Sequence, residues 1–154
     1  MSTVFVLNGA NLDRLGTREP EVYGTATLGD LEDLCQAQAK ALGLQLVFRQ
    51  TNNEFELISW LHQAADQKAF VILNAGGWTH TSVAVHDAAK CLTNKWIEVH
   101  LSHPDGREPF RRTNFLRPIA TASVTGLGVL GYECALKAVA NWQQADHNPN
   151  QGKE

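Results

Sequence analysis

Four stretches of this 154-residue chain hold most of the side chains that could do chemistry. "ANLDRLGTREPEVYG" (10–24) carries Asn11, Arg18 and Tyr23 in one long polar connection, and connections of that length are more often functional or disordered than plain linkers. "NAGGWTHTS" (74–82) is a glycine turn with His80 and three hydroxyls, running towards a helix N-terminus, where free backbone N–H groups favour an anion. "IEVHLS" (97–102) alternates, with Glu98 and His100 on one side of a strand and Ile97, Val99 and Leu101 on the other. "GREPFRRTNFLR" (106–117) gathers Arg107, Arg111, Arg112 and Arg117, suited to bidentate recognition of a carboxylate.

These residue types suit proton transfer on an anionic substrate. His100 is either a general acid, a role the usual histidine pKa of about 6.5 suits, or a core histidine satisfied near Glu98. Tyr23 has a free pKa of about 10, so it could act as a base at neutral pH only with roughly three units of depression, part of which Arg18 could supply. Pro20 restricts that loop and Gly24 permits a hinge; the plain alternative is an exposed loop with a surface tyrosine.

Other chemistries fit less well. No lysine stands where a Schiff base would form: Lys68 and Lys95 precede strands, and Lys40, Lys90, Lys137 and Lys153 belong to helices or the tail. There is no GxSxG nucleophile turn, no HExxH metal pair and no GxxxxGK[ST] phosphate loop. "GLGVLG" (126–131) matches GxGxxG, but no further strand follows to carry the ribose-binding carboxylate, so it reads as a tight strand-to-helix turn.

The elements that must position these groups alternate. Apolar runs at 3–8, 44–50, 69–74, 96–101 and 119–125 read as five strands. Between them, 27–43 has Leu28, Leu31, Leu34, Cys35, Ala39 and Leu42 at helical spacing, with Thr27 as cap and Gly43 as stop. A second helix follows the second strand, its predicted inner face formed by Phe55, Ile58, Leu61, His62 and Ala65. Further helices follow "NAGGWTHTS" and "GLGVLG". This alternation predicts one α/β domain over 1–142, a flavodoxin-like doubly wound five-stranded parallel sheet with helices on both faces, and a polar, mobile tail over 143–154. Ligands of such sheets bind beyond the carboxyl ends of the strands, where Asn8, Asn11, Asn74, His100 and Ser102 fall.

Hydrophobic residues at 44%, charged residues at 19% and a formal charge of -3 describe an ordinary globular chain, with no bulk charge for nucleic acid or a membrane surface. The N-terminus lacks a signal-peptide pattern, and a cytoplasmic location is expected. Cys35, Cys91 and Cys134 form no CxxC pair and are expected to be buried, reduced thiols.

"LNGANLDRLGTREPEVYG", "NAGGWTHTSVAVHDA", "IEVHLS" and "REPFRR" resemble, in order and spacing, the successive signatures of type II 3-dehydroquinate dehydratases, and the resemblance extends to about residue 142. It implies a flavodoxin-like lyase with no cofactor or metal, assembled as a homododecamer of four trimers, that interconverts 3-dehydroquinate and 3-dehydroshikimate. That step occurs in the shikimate pathway of aromatic amino acid biosynthesis and in quinate breakdown. On this resemblance Tyr23 is the base, Arg18 the loop arginine that favours the tyrosinate, His100 the acid, and Asn11 the holder of a water near the enolate oxygen. Asn74, His80, Leu101, Ser102 and Arg111 bind substrate, Asp87 completes a neighbouring subunit's site, and the 10–24 loop is a mobile lid. The chain departs from the common pattern at Ala10, Asp13, Arg14, Ala75, His103 and Asn114, so the lid and the contacts beneath it are expected to differ.

Overall fold

The structure, a computed structural model, describes residues 1–149. Five strands, β1 (Thr3–Asn8), β2 (Gln45–Gln50), β3 (Phe70–Asn74), β4 (Trp96–His100) and β5 (Ala122–Thr125), form one sheet in the order β2-β1-β3-β4-β5. Every neighbouring pair is parallel. Strand order therefore reverses between β1 and β3, the feature that opens a crevice at the carboxyl ends of a doubly wound sheet.

The helices are a single turn α1 (Pro20–Tyr23) and the longer α2 (Leu28–Ala41), α3 (Glu54–Asp66), α4 (Val83–Ala89) and α5 (Leu130–His147). Helix α2 starts where the sequence sets it: Thr27 Oγ1 accepts from the Asp30 amide, while the Asp30 carboxylate accepts from the Thr27 amide. This reciprocal capping satisfies two otherwise orphaned donors. Leu31, Cys35 and Ala39, at fourfold spacing, bury one face.

Because side chains alternate along a strand, the sheet separates two cores. Val4, Val6, Phe70, Ile72, Ile97 and Val99 meet α2 and α5 on one face. Phe5, Leu7, Val71, Leu73 and Trp96 meet α3 and α4 on the other. The β4–β5 crossover carries no α-helix: 3-10 turns at Pro104–Gly106, Pro109–Arg112 and Arg117–Ile119 take its place. Leu116, which precedes the last of these turns, and Ile119 within it pack into the second core.

Several expectations are corrected. The inner face of α3 is Leu57, Leu61 and Ala64; Phe55 is 76% exposed and His62 is exposed too. The apolar stripe could be drawn through either set, and docking on the sheet selects the one three to four residues apart that excludes the terminal Phe. Of the cysteines, Cys35 is buried, Cys134 half-buried and Cys91 exposed, because Cys91 lies past the end of α4. Burial among apolar groups, with Glu133 and Glu32 nearby, pushes the Cys35 thiol up to about 12. Strand β5 starts at Ala122 rather than 119, because the chain around Pro118 is in a 3-10 turn. Helix α5 continues to His147, into the segment expected as a tail, whose residues 150–154 lie outside the described residues. Among the described residues, no helix is long and apolar enough to cross a membrane.

Candidate active site

The strand ends meet backbone to backbone. β1 and β3 finish level, with Asn8 opposite Asn74, and the Gly9 amide donates to the Asn74 carbonyl at 2.8 Å. A Cβ on Gly9 would lie 2.5 Å from the Ala75 carbonyl oxygen, so only glycine lets the two exits lie this close. Beneath them the buried Tyr132 of α5 ties both strands: its hydroxyl donates to Asn8 Oδ1 at 2.6 Å and accepts from Asn74 Nδ2 at 2.9 Å. Burial raises the Tyr132 ionisation well above the ordinary tyrosine range, so the group stays a neutral donor. Asn8 is thus part of the floor rather than the rim, its amide donating to the Arg49 carbonyl.

Above this floor lies a cavity of about 260 Å³. Asn11, Arg18 and Tyr23 line it from the first loop, and Asn74, Gly76 and His80 from the exit of β3. His100, Leu101, Ser102, Arg107 and Arg111 line it from the exit of β4 and the following turns.

The 10–24 loop is anchored at its root and projects over the cavity at its tip. Leu12 and Leu15 are buried in the first core. Asn11 is left-handed, with φ of 70°, a conformation asparagine tolerates, and its amide donates to Asn52 Oδ1 at 2.8 Å. Asn52 also donates to Asp13 at 3.1 Å, giving that departure from the family pattern a specific partner. At the tip, Pro20 opens α1 and Tyr23 closes it. The Arg18 guanidinium carbon lies 4.8 Å and that of Arg107 5.1 Å from the centre of the Tyr23 ring. Arg107 further reaches the carboxylate of Glu19 at 3.7 Å and donates to Ser102 Oγ at 3.4 Å, so it links the loop to the β4 exit.

Across the cavity His100 is 6% exposed and donates through Nε2 to Glu98 Oε2 at 3.0 Å, leaving Nδ1 unbound by that carboxylate. Glu98 is fully buried and takes three further donors: Asn114 on Oε2 at 2.5 Å, and Ser123 at 2.7 Å and Arg117 at 3.1 Å on Oε1. Burial by itself would raise this carboxyl, but the His100 hydrogen bond and charge, followed by Asn114 and Ser123, outweigh it and hold the group at about 2. Glu98 is therefore an anion beside the imidazole at neutral pH. His80 donates through Nδ1 to the Thr113 carbonyl at 2.6 Å, and its ring stacks on that of His100 with centroids 6.5 Å apart. Burial, helped by the positive charge of His100 and Arg111, pulls His80 below the usual histidine value, which favours its neutral form.

Of the residues singled out in the sequence, Asn11, Arg18, Tyr23, Asn74, His80, His100, Leu101, Ser102 and Arg111 line one cavity. Asp87 does not: it is exposed on α4 beside His86, 3.1 Å away. Four structural partners were not singled out. Glu98 was seen only as the neighbour of His100, and Arg107 only as one of four arginines. Arg117 too was seen only as one of those four arginines, and Tyr132 gave no sign of its contacts, since each meets a partner distant in sequence. Among the described residues, no three His, Cys, Asp or Glu side chains come together as a metal ion would require.

An imidazole backed by a buried carboxylate faces a tyrosine flanked by guanidiniums at the carboxyl edge of a parallel sheet. Fold and site together define a flavodoxin-like α/β protein with a histidine–carboxylate pair, a tyrosine and several arginines around one cavity at the strand ends. The profile described as Dehydroquinase class II matches residues 2–140. Over 137 residues the chain is 53% identical to a 3-dehydroquinate dehydratase of Salinispora arenicola, covering 89% of this chain and 96% of that one. It is 50% identical over 139 residues to one of Rhodopseudomonas palustris, covering 90% and 92%. The crystal structure of a type II dehydroquinase from Propionibacterium acnes, 41% identical, superposes with a TM-score of 0.90 over 92% of this chain and 97% of that one. The chain belongs to the class II dehydroquinase family.

Proposed function

We propose that this chain is a 3-dehydroquinate dehydratase, a hydro-lyase that removes water from 3-dehydroquinate by anti elimination through an enolate. The observation that carries the reading is that Tyr23, flanked by Arg18 and Arg107, and His100, backed by Glu98, line one cavity from opposite elements. In this account Tyr23, as the phenolate, takes the proton alpha to the ketone. The electron pair moves into the carbonyl to give an enolate, whose oxygen a water held by Asn11 stabilises. Collapse of the enolate forms the carbon–carbon double bond and expels the β-hydroxyl, which receives a proton from His100 and leaves as water.

Arg18 and Arg107 flank the Tyr23 ring and set two positive charges beside the base. Glu98 keeps the His100 ring oriented and its Nε2 occupied, which leaves the proton on Nδ1 as the one to give. Arg111, His80, Asn74 and the Leu101–Ser102 stretch supply contacts for the substrate carboxylate and hydroxyls. The protein side chains themselves exchange only protons with the substrate. Among the described residues no lysine lines the cavity, so the account uses no Schiff base.

In assembled enzyme, Asp87 reaches a neighbouring subunit's site and the 10–24 loop closes as a lid that excludes water. The working form is a homododecamer of four trimers, and the expected location is the cytoplasm. Tyr23→Phe and His100→Ala should each lower kcat by at least about 100-fold, the lower range for positioned acid–base groups, with KM far less affected. Steady-state assays of each variant check this, and near-normal kcat in either one removes that residue from its role.

A further inference from the structure

We propose that Arg117 is a positioning residue for the acid: by pairing with the far oxygen of Glu98 it limits how firmly that carboxylate holds a protonated His100, and so keeps the imidazole proton available. The inference rests on the reading of His100 as the acid. Arg117 does not line the cavity, so it acts only through Glu98. Its Nε lies 3.1 Å from Oε1, on the oxygen opposite the one that binds His100.

An isolated buried Glu–His pair would favour the imidazolium, since an opposite charge in direct contact stabilises the charged form. That would make a strong clamp and a weak acid. A second cation on the same carboxylate opposes this, because it repels the imidazolium and draws on the same negative charge. The contact is built into the turn. Asn114 Oδ1 accepts from the Leu116 and Arg117 amides at 2.8 Å each, while Asn114 Nδ2 donates to Glu98 Oε2. One side chain therefore fixes both the backbone that carries Arg117 and the carboxylate it meets.

The other charged groups facing the pair come from different elements. His80 stands on the turn after β3, Arg18 and Tyr23 on the first loop, and Arg107 and Arg111 after β4; β5 contributes only the uncharged Ser123. Asp105 lies 3.9 Å from Arg117 Nη1, and its release on loss of Arg117 would act in the same direction. Arg117 is about one-third exposed, with side-chain exposure of 37%, so its replacement leaves no buried cavity.

The test compares the chain with Arg117→Gln and Arg117→Lys in two ways: kcat against pH with 3-dehydroquinate, and NMR titration of the His100 ring without substrate. The expected result is that R117Q moves the basic limb and the ring titration to higher pH. On that limb it keeps roughly threefold more of its own plateau activity, the size expected for removing a partly exposed charge one carboxylate away. Its plateau kcat falls, and R117K restores the original limb. A purely structural role would lower kcat alike at every pH. Coincident limbs and titrations for R117Q and the original chain overturn the proposal, as do equal shifts in R117K and R117Q. No turnover by the original chain would sink the dehydratase reading instead, and the ring titration would still decide for or against Arg117.

Discussion

At the residue scale, Glu98 shows how a polar group can sit at the centre of the fold. A buried carboxylate without partners would be strongly destabilising, and here each oxygen receives two donors. Its folded value of about 2 lies below the 4.5 of an unperturbed glutamate. The stability it contributes is therefore fully present above about pH 4.5 and is lost as pH falls towards about 2. Denaturant midpoints measured through that window should fall with acid, and Glu98→Gln should flatten the decline while lowering stability at neutral pH. An equally steep acid decline in E98Q would show that other carboxylates govern it. Alternation in "IEVHLS" set Glu98 and His100 on one side of a strand, so the pair was legible from sequence. Its supporting partners were not, because Asn114, Arg117 and Ser123 reach Glu98 only once the β4–β5 connection has folded back over the strand.

At the scale of elements, the active cavity depends on the close approach of two strand exits. Gly9→Ala should force the β1 exit away from Ala75 and cost about 1–3 kcal/mol, typical of overpacking, with a fall in kcat because the same exit leads to Asn11. Thermal denaturation alongside activity checks this; unchanged stability would mean that the backbone yields more readily than the 2.5 Å approach implies. Strand and helix order followed from periodicity because each element is driven by burial of one stripe or one run. The face of α3 was harder, since Phe55 fits the helical spacing and yet lies 76% exposed. The first loop was legible as unusual in length and polarity. Its anchoring through Leu12 and Leu15 was not, because two leucines in a polar stretch carry no periodic signal.

At the scale of the whole molecule, a cavity of about 260 Å³ opens at the strand ends of the single chain, a volume suited to a small ligand. The exposed Phe55 and Val83 lie at the starts of α3 and α4, and Asp87 is exposed one turn further along α4. If Asp87 completes a neighbouring site, Asp87→Ala should raise KM several-fold with little change in kcat, and sedimentation should show an assembly well above the 16.9 kDa chain. A fully active monomer would remove Asp87 from the site. The doubly wound fold was legible from five alternating units, whereas an assembly is expected only from the family resemblance, since an exposed apolar residue does not name what covers it.

The most direct test of the account is turnover of 3-dehydroquinate by EDTA-treated protein, followed through the ultraviolet absorbance of the conjugated enone product, with and without borohydride. The account predicts turnover that resists both treatments, because Tyr23 and His100 exchange only protons with the substrate. Loss of activity with borohydride, or recovery only on adding a metal ion, would contradict it.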